Sequence, residues 1–214
     1  MASGRGPLGA ILAAMHRPVY AARMKELTRL LVPHLRANDR MLDVGCGGGM
    51  FGRALMDAST CPRGVVVTGL ERFKRGGEPI EVIPYDGVTI PFADRSFDVV
   101  LLADVLHHEE DPDRLLRECT RVTSRLLIVK DVQLWGPLAW SRISFIDWAA
   151  NEPYGVKCLY RYNTPTQWAA MPARFGFRLQ TEINSIDLYP AGYNLLFGKR
   201  LQYMGVWEVG ATVS

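Results

Sequence analysis

Residues 42–52 read Leu42-Asp43-Val44-Gly45-Cys46-Gly47-Gly48-Gly49-Met50-Phe51-Gly52. The run Met41 to Val44 is short and strand-like, and glycine follows it at once. Glycines directly after a first strand let the backbone turn sharply and pass close to a ligand. The helix expected from about Met50 to Ala58 then points its N-terminal amides at that ligand. A G-x-G-x-x-G frame exists at Gly47, Gly49 and Gly52, but it starts two residues late for a dinucleotide site, because Gly45 already makes the turn. In the earlier frame, Gly45 and Gly47 are followed by Met50, where dinucleotide folds want Gly or Ala for helix packing. A glycine-rich connection with no ligand is the plain alternative.

Working outward, Tyr20 to Leu35 places Met24, Leu27, Leu30, Leu31 and Leu35 at helical spacing, with Arg23, Lys25, Arg29 and Arg36 opposite. Downstream, Gly64 to Leu70 is a second strand that ends in Glu71. Ile80 to Pro84 is a third, Phe97 to Leu102 a fourth and Arg125 to Val129 a fifth. Asp111 to Val122 reads as a helix. Short apolar strands alternating with helices mean parallel βαβ units, hence a doubly wound α/β fold. From about Asp131 to Met171 the pattern changes to Trp135, Trp140, Phe145, Trp148, Tyr154, Tyr160, Tyr162 and Trp168 with several prolines, which reads as a helical, aromatic-rich cap. Phe177 to Ile186 and Gln202 to Val209 are expected to add two strands joined by an irregular connection. The expected organisation is one domain over 1–214: a helical segment 1–36, a cofactor-binding core 37–131, a cap 132–172 and C-terminal strands 173–214.

The acids sharpen the ligand. Asp43 stands two residues before the first glycine, where a carboxylate repels a pyrophosphate but suits an ammonium group. S-adenosylmethionine carries an α-ammonium and a sulfonium, and no phosphate. Glu71, at the end of the second strand, is placed to accept from both ribose hydroxyls. Asp86-Gly87, after the third strand, is placed to accept from the adenine amino group. Each could be a solvated loop acid taken singly.

Together these stretches resemble a known family. LDVGCGGGMFG resembles the first motif of class I S-adenosylmethionine-dependent methyltransferases, and GLE at 69–71 resembles their acidic second motif. YDGVTIPFADRSFDVVLLADVLHHEEDP at 85–112 is similar to the third and fourth motifs of the small-molecule branch. LLRECTRV and RLLIVKDV resemble the helix and strand that follow there. The resemblance implies a seven-stranded, mostly parallel, Rossmann-like sheet whose last strand is antiparallel. It also implies S-adenosylmethionine as cofactor, with S-adenosylhomocysteine as product. Asp43, Gly45, Gly47, Glu71, Asp86 and the turn from Ala103 to Leu106 would line it, with their neighbours Cys46, Arg72 and Gly87. Tyr20 and Arg23, in the segment following His16-Arg17-Pro18, are expected to close over it.

Methyl transfer from a sulfonium is an in-line displacement in which alignment and exclusion of water do most of the work. A general base is needed for a hydroxyl, an acidic carbon or a protonated amine. The candidates are His107 and His108 after the fourth strand and Asp131 after the fifth, although each could merely pack or cap. The aromatic stretch suits an apolar or planar small molecule, unless its rings only pack the cap on the sheet. Arg142, Asp147, Asn151, Arg161 and Asn163 could supply polar contacts, and Asp147 and Asn151 share a face if their segment is helical. Glu109 to Asp111 is expected to form a solvated helix start. A nicotinamide oxidoreductase is disfavoured by Asp43 and Met50, and a non-catalytic binding subunit by the intact loop. A protein or RNA acceptor stays open.

Composition adds bounds. The 214 residues are 48% hydrophobic and 22% charged, with formal net charge +3. The arginines are mixed with acids, so no nucleic-acid partner is expected. Cys46, Cys61, Cys119 and Cys158 are far apart, so no zinc site, other metal or disulfide framework is expected, and reduced thiols fit a cytoplasmic enzyme. There is no apolar run long enough for a membrane span. Met1 to Ala14 reads as a loose terminus leading into a helix rather than a signal peptide.

Overall fold

The computed structural model describes residues 7–74, 76–151 and 156–210, with residues 7–18 described by backbone alone. Of the loose start expected over Met1–Ala14, residues 1–6 lie outside the described residues and residues 7–14 are instead helical, while Tyr154 and the side chains of His16, Arg17 and Pro18 also lie outside them. In chain order the helices are α1 (Pro7–Leu31), α2 (Met50–Asp57), α3 (Pro112–Val122), α4 (Ala139–Asn151), α5 (Pro165–Arg174) and α6 (Ala191–Phe197). The strands are β1 (Arg40–Val44), β2 (Val66–Glu71), β3 (Val82–Pro84), β4 (Phe97–Ala103), β5 (Thr123–Val132), β6 (Phe177–Ile183) and β7 (Gln202–Val209).

They form one seven-stranded sheet ordered β3-β2-β1-β4-β5-β7-β6. The first five strands run parallel, and β7 lies antiparallel between β5 and β6. Central strands are apolar on both faces because helices cover both. Val99 and Leu101 of β4 join Leu27 and Leu31 of α1, whereas Val100 and Leu102 join Leu115, Leu116 and Val122 of α3. Alternation along the strand thus sends neighbouring residues into two separate cores.

Three expectations need correction. The helix read over Tyr20–Leu35 begins earlier and gives way at Leu31 to a tight turn over Val32–His34, because Pro33 lacks the amide an α-helix needs. Strict βαβ alternation fails on either side of β3, where the described connections contain no helix. Between β3 and β4 the loop instead buries Ile90, and Arg121 of α3 donates to the carbonyls of Ile90 and Phe92 while Glu118 accepts from the Ile90 amide. The connection between β6 and β7 is not wholly irregular, since it contains α6.

The cap contains α4 and α5. A reciprocal pair starts α5: the Thr164 hydroxyl accepts from the Gln167 amide, and the Gln167 side chain accepts from the Thr164 amide. That fixes Trp168, which is fully buried and stacks on Tyr203 of β7 with ring centroids 4.6 Å apart and planes 6° apart. Its Nε1 donates to the Val132 carbonyl at 3.1 Å. The aromatic stretch is therefore divided. Trp168 and Tyr162 point inward, while Trp140, Phe145 and Trp148 stand about half exposed.

Trp168→Ala is expected to lower unfolding stability by about 3–5 kcal/mol in urea titration, through a cavity and an orphaned carbonyl. Trp168→Phe should recover most of the packing and lose chiefly the hydrogen bond.

Candidate active site

The sheet order reverses between β1 and β4, and in doubly wound folds ligands bind outside the strand carboxyl ends at such a switch point. Gly45 leaves β1 with φ +72°, and its amide donates to the Leu70 carbonyl at 2.8 Å. A Cβ there would lie 2.7 Å from Val105 Cγ2, so the loop after β1 and the turn after β4 touch through a missing side chain. Cβ atoms at Gly47 and Gly48 would meet nothing within 4 Å, which leaves their backbone open to an approaching ligand. Cys46 packs its thiol over Gly69 of β2.

Asp43 is 3% exposed, and its carboxylate has no hydrogen-bond or ion-pair partner among the described residues. Burial lifts its pKa to about 7; the charge of Arg23 pulls the other way and that of Glu71 adds to the rise. Such a group asks for a cation. Glu71 accepts from the amides of Gly47 at 2.9 Å and Arg72 at 2.8 Å, and so braces the glycine loop. Arg72 crosses to Glu109, with Nη2 2.9 and 2.8 Å from its two oxygens, and occupies the space that the missing Gly87 side chain leaves. Glu109 is thereby buried rather than solvated as expected, and Asp111 caps α3 by accepting from the Arg114 amide. Asp86 accepts from the amides of Val88 and Thr89 in its own turn. Tyr20 is partly exposed on α1.

The turn after β4 is held from both faces of β5. Asp104 sits at φ +60°, and its carboxylate pairs with Lys130 at 2.5 Å and with Arg23 at 2.7 Å. Burial tends to raise its pKa, but these two cations hold it well below the usual carboxylate range. Arg23 is thus committed to Asp104. Ala103 is the last residue of β4. Leu106 is buried, and its amide donates to Asp131 Oδ2 at 3.1 Å.

Asp131 also accepts from the Val132 amide at 2.7 Å and bonds His107 Nδ1 at 2.5 Å. Burial works against charging His107, yet Asp131 overrides it and, with Asp147, pushes its pKa up to about 10. His108 lies with its ring centroid 4.0 Å away and bonds the Lys157 carbonyl through Nδ1 at 3.2 Å. Burial and the charge of His107 hold His108 below the ordinary histidine value. Asp147 of α4 faces both rings: its Oδ1 lies 3.7 Å from His107 Nε2 and 3.6 Å from His108 Nε2. Tyr162 donates to Asp147 Oδ2 at 2.7 Å, and Asn151 Nδ2 donates to Oδ1 at 2.9 Å. A cavity of about 310 Å³ opens on this cluster, lined by Leu106, His107, Asp131, Tyr162, Trp168 and Met171 among others.

The structure therefore brings together His107, His108 and Asp131, with Asp147, Asn151 and Tyr162 completing the group from the cap. Arg161 and Asn163 line the same cavity, while Arg142 instead ties α4 to α6 through the Leu195 and Leu196 carbonyls. Sequence reading missed the Lys130–Asp104 pair and the meeting of Asp147 with both histidines. A signal existed for the first: Lys130-Asp131 ends a buried strand, where charges need partners.

Residues 42–126 match the family model described as a methyltransferase domain. The chain is 36% identical over 101 residues to the 27-O-demethylrifamycin SV methyltransferase of Amycolatopsis mediterranei, covering 41% of this chain and 36% of that one. It is 31% identical over 101 residues to the ubiquinone biosynthesis O-methyltransferase of Pseudomonas fluorescens, covering 40% of each. The matched region thus spans less than half the length of these relatives. In fold it resembles the putative methyltransferase solved in complex with the Trm112 methyltransferase activator of Haloferax volcanii, with TM-score 0.66, 16% identity and coverage of 96% and 95%. These likenesses support, over about two fifths of the chain, a class I S-adenosylmethionine-dependent methyltransferase domain.

Asp43 also sets a pH dependence of stability. Its folded pKa lies above the unfolded value of 3.8, so its contribution is complete below pH 4 and fades as pH rises to about 7. Asp43→Asn should therefore gain on the wild type across that window, at about 1.4 kcal/mol for each pH unit crossed. Parallel urea titrations at pH 4.5, 6 and 7.5 read this. A constant difference between the two proteins would refute the burial of a lone carboxyl.

Proposed function

We propose that this class I methyltransferase moves a methyl group from S-adenosylmethionine to a hydroxyl oxygen of a small, largely apolar molecule. The observation that carries the reading is a juxtaposition at one sheet edge: an unpartnered, cation-seeking Asp43 on β1 and a histidine–carboxylate cluster after β4. Oxygen is favoured because the cluster can accept a proton, and because the ubiquinone relative is named an O-methyltransferase. A small apolar acceptor is favoured by the cavity beside His107, which Leu106, Trp168 and Met171 wall.

The residues fit the cofactor: Asp43 would accept from its ammonium and Glu71 from its ribose hydroxyls, and Gly47 and Gly48 leave the backbone beside them uncovered. When bound, S-adenosylmethionine supplies a methyl group on a sulfonium, ready for in-line attack. The protein then has to align the acceptor and receive its proton. His108 carries its own proton on Nδ1, facing the Lys157 carbonyl, which leaves the Nε2 lone pair to take the hydroxyl proton. Asp131 orients His107, whose charge would offset negative charge developing on the acceptor oxygen.

Among the described residues no helix is long and apolar enough to cross a membrane. The four cysteines are free, which supports a cytoplasmic setting.

Calorimetric titration with S-adenosylmethionine and S-adenosylhomocysteine should give micromolar binding, with NADH inert. Affinity for both should rise with pH through about 7 as Asp43 ionises, and Asp43→Ala should weaken both by about 100-fold, the value of a charge-assisted pair. A labelled-methyl screen of apolar hydroxyl compounds should then find turnover, reduced about 10²–10⁴-fold in His108→Ala with cofactor binding intact. Binding without any turnover would favour a non-catalytic subunit, label appearing only on protein or RNA would overturn the small acceptor, and tight NADH binding would overturn the whole reading.

A further inference from the structure

We infer that His107, His108 and Asp147 form a binding site for a divalent transition-metal ion of the zinc class. His107, His108 and Asp147 each offer a ligand atom, and these atoms lie within 4.8 Å of one another. The Asp147 Oδ1 atom lies 3.7 Å from His107 Nε2 and 3.6 Å from His108 Nε2. A tetrahedral ion with bonds of about 2.1 Å holds its ligand atoms about 3.4 Å apart, so small side-chain rotations complete the site.

The outer contacts argue more strongly than the spacing. Each imidazole has its Nδ1 on an acceptor, His107 on the Asp131 carboxylate and His108 on the Lys157 carbonyl. An ion would displace the proton that charged His107 carries on Nε2, leaving the ring protons on Nδ1 and both Nε2 atoms facing the same Asp147 oxygen. Metal-binding histidines are oriented in this way, and a carboxylate behind one of them also raises its donor strength. Asp147 is likewise held, by Tyr162 on one oxygen and Asn151 on the other. With that proton displaced the charges also close: two neutral imidazoles with the carboxylates of Asp131 and Asp147 balance a divalent cation in a site where all three ligand side chains are mostly buried.

Two nitrogens and one oxygen suit zinc or its neighbours better than magnesium, which prefers an all-oxygen octahedron. Three protein ligands leave a fourth position, and one of them, His107, lines the adjacent cavity. An oxygen of a bound molecule placed there would be polarised by the ion. Metal binding itself can be tested without the methyl-transfer reading; in the ion-bound form the ion takes the Nε2 lone pair of His108 and replaces the two histidines in their proton-accepting and charge-offsetting roles.

The test uses the full chain, stripped with a chelator and titrated with Zn2+, Co2+ or Mg2+ by calorimetry, with visible spectra of the Co2+ form. One equivalent of Zn2+ should bind at micromolar Kd or tighter, and Mg2+ should not. His108→Ala and Asp147→Asn should each weaken Zn2+ by at least about 100-fold, and Asp131→Asn by about 10–100-fold. Cys158→Ser and His34→Gln should leave it unchanged. Should the cluster variants fail to fold, the wild-type Co2+ spectrum decides: intense four-coordinate bands without sulfur charge transfer support the site. The inference is overturned by the absence of stoichiometric Zn2+ binding, by binding that survives His108→Ala and Asp147→Asn, by its loss in Cys158→Ser, or by weak six-coordinate Co2+ bands.

Discussion

The carboxylate of Asp131 carries the amides of Leu106 and Val132 and the imidazole of His107, and it does so almost wholly buried at the end of β5. A charge taken out of water is tolerated only when its oxygens are filled, and here backbone and ring donors fill them. Because one of those donors is the amide that follows the β4 turn, the position of His107 is fixed by the sheet rather than by a loop. The preceding residue, Lys130, points to the other face and holds Asp104. Two consecutive residues of β5 thus pin the same turn from opposite sides.

That arrangement extends to the ligand crevice. Arg23 shares Asp104 with Lys130, and through it α1 is tied to the strand ends. Among the described residues Arg23 is the cation whose charge reaches Asp43, and it is already engaged with Asp104. The left-handed backbone at Asp104 is a conformation Asp tolerates better than most residues, and here two ion pairs and the Asp104 amide bond to the Lys130 carbonyl hold it. The turn after β4 is therefore held from several directions, whereas the histidine cluster depends on α4, whose Asp147 docks against the two rings.

The cap shows how pattern can mislead about purpose. A run rich in tryptophan and tyrosine reads as one aromatic wall, yet Trp168 serves the core while Trp140, Phe145 and Trp148 face outward. Composition gives the payload of such rings but not their direction, which depends on the helix face and on the angle at which α4 meets the sheet. The missing helices around β3 have a related cause. Apolar residues such as Ile90 can be buried from an irregular loop once Arg121 and Glu118 satisfy its backbone, and nothing local in the loop announces that partner.

The sequence by itself determined the parallel core and the glycine turn, because strand alternation and positive-φ glycine are local requirements of the chain. It also placed Asp43, Glu71, His107, His108 and Asp131 at strand ends, since in a parallel sheet every strand's carboxyl end faces one edge. Tertiary structure alone decided which of these meet. Asp147 lies 40 residues from His107 in sequence and 3.7 Å from it in space, and only the docking of α4 brings them together. The same is true of the Arg72–Glu109 and Lys130–Asp104 pairs. A side chain's chemistry is written in the sequence, but its partner, and hence its charge and its function, is set by what the fold packs against it.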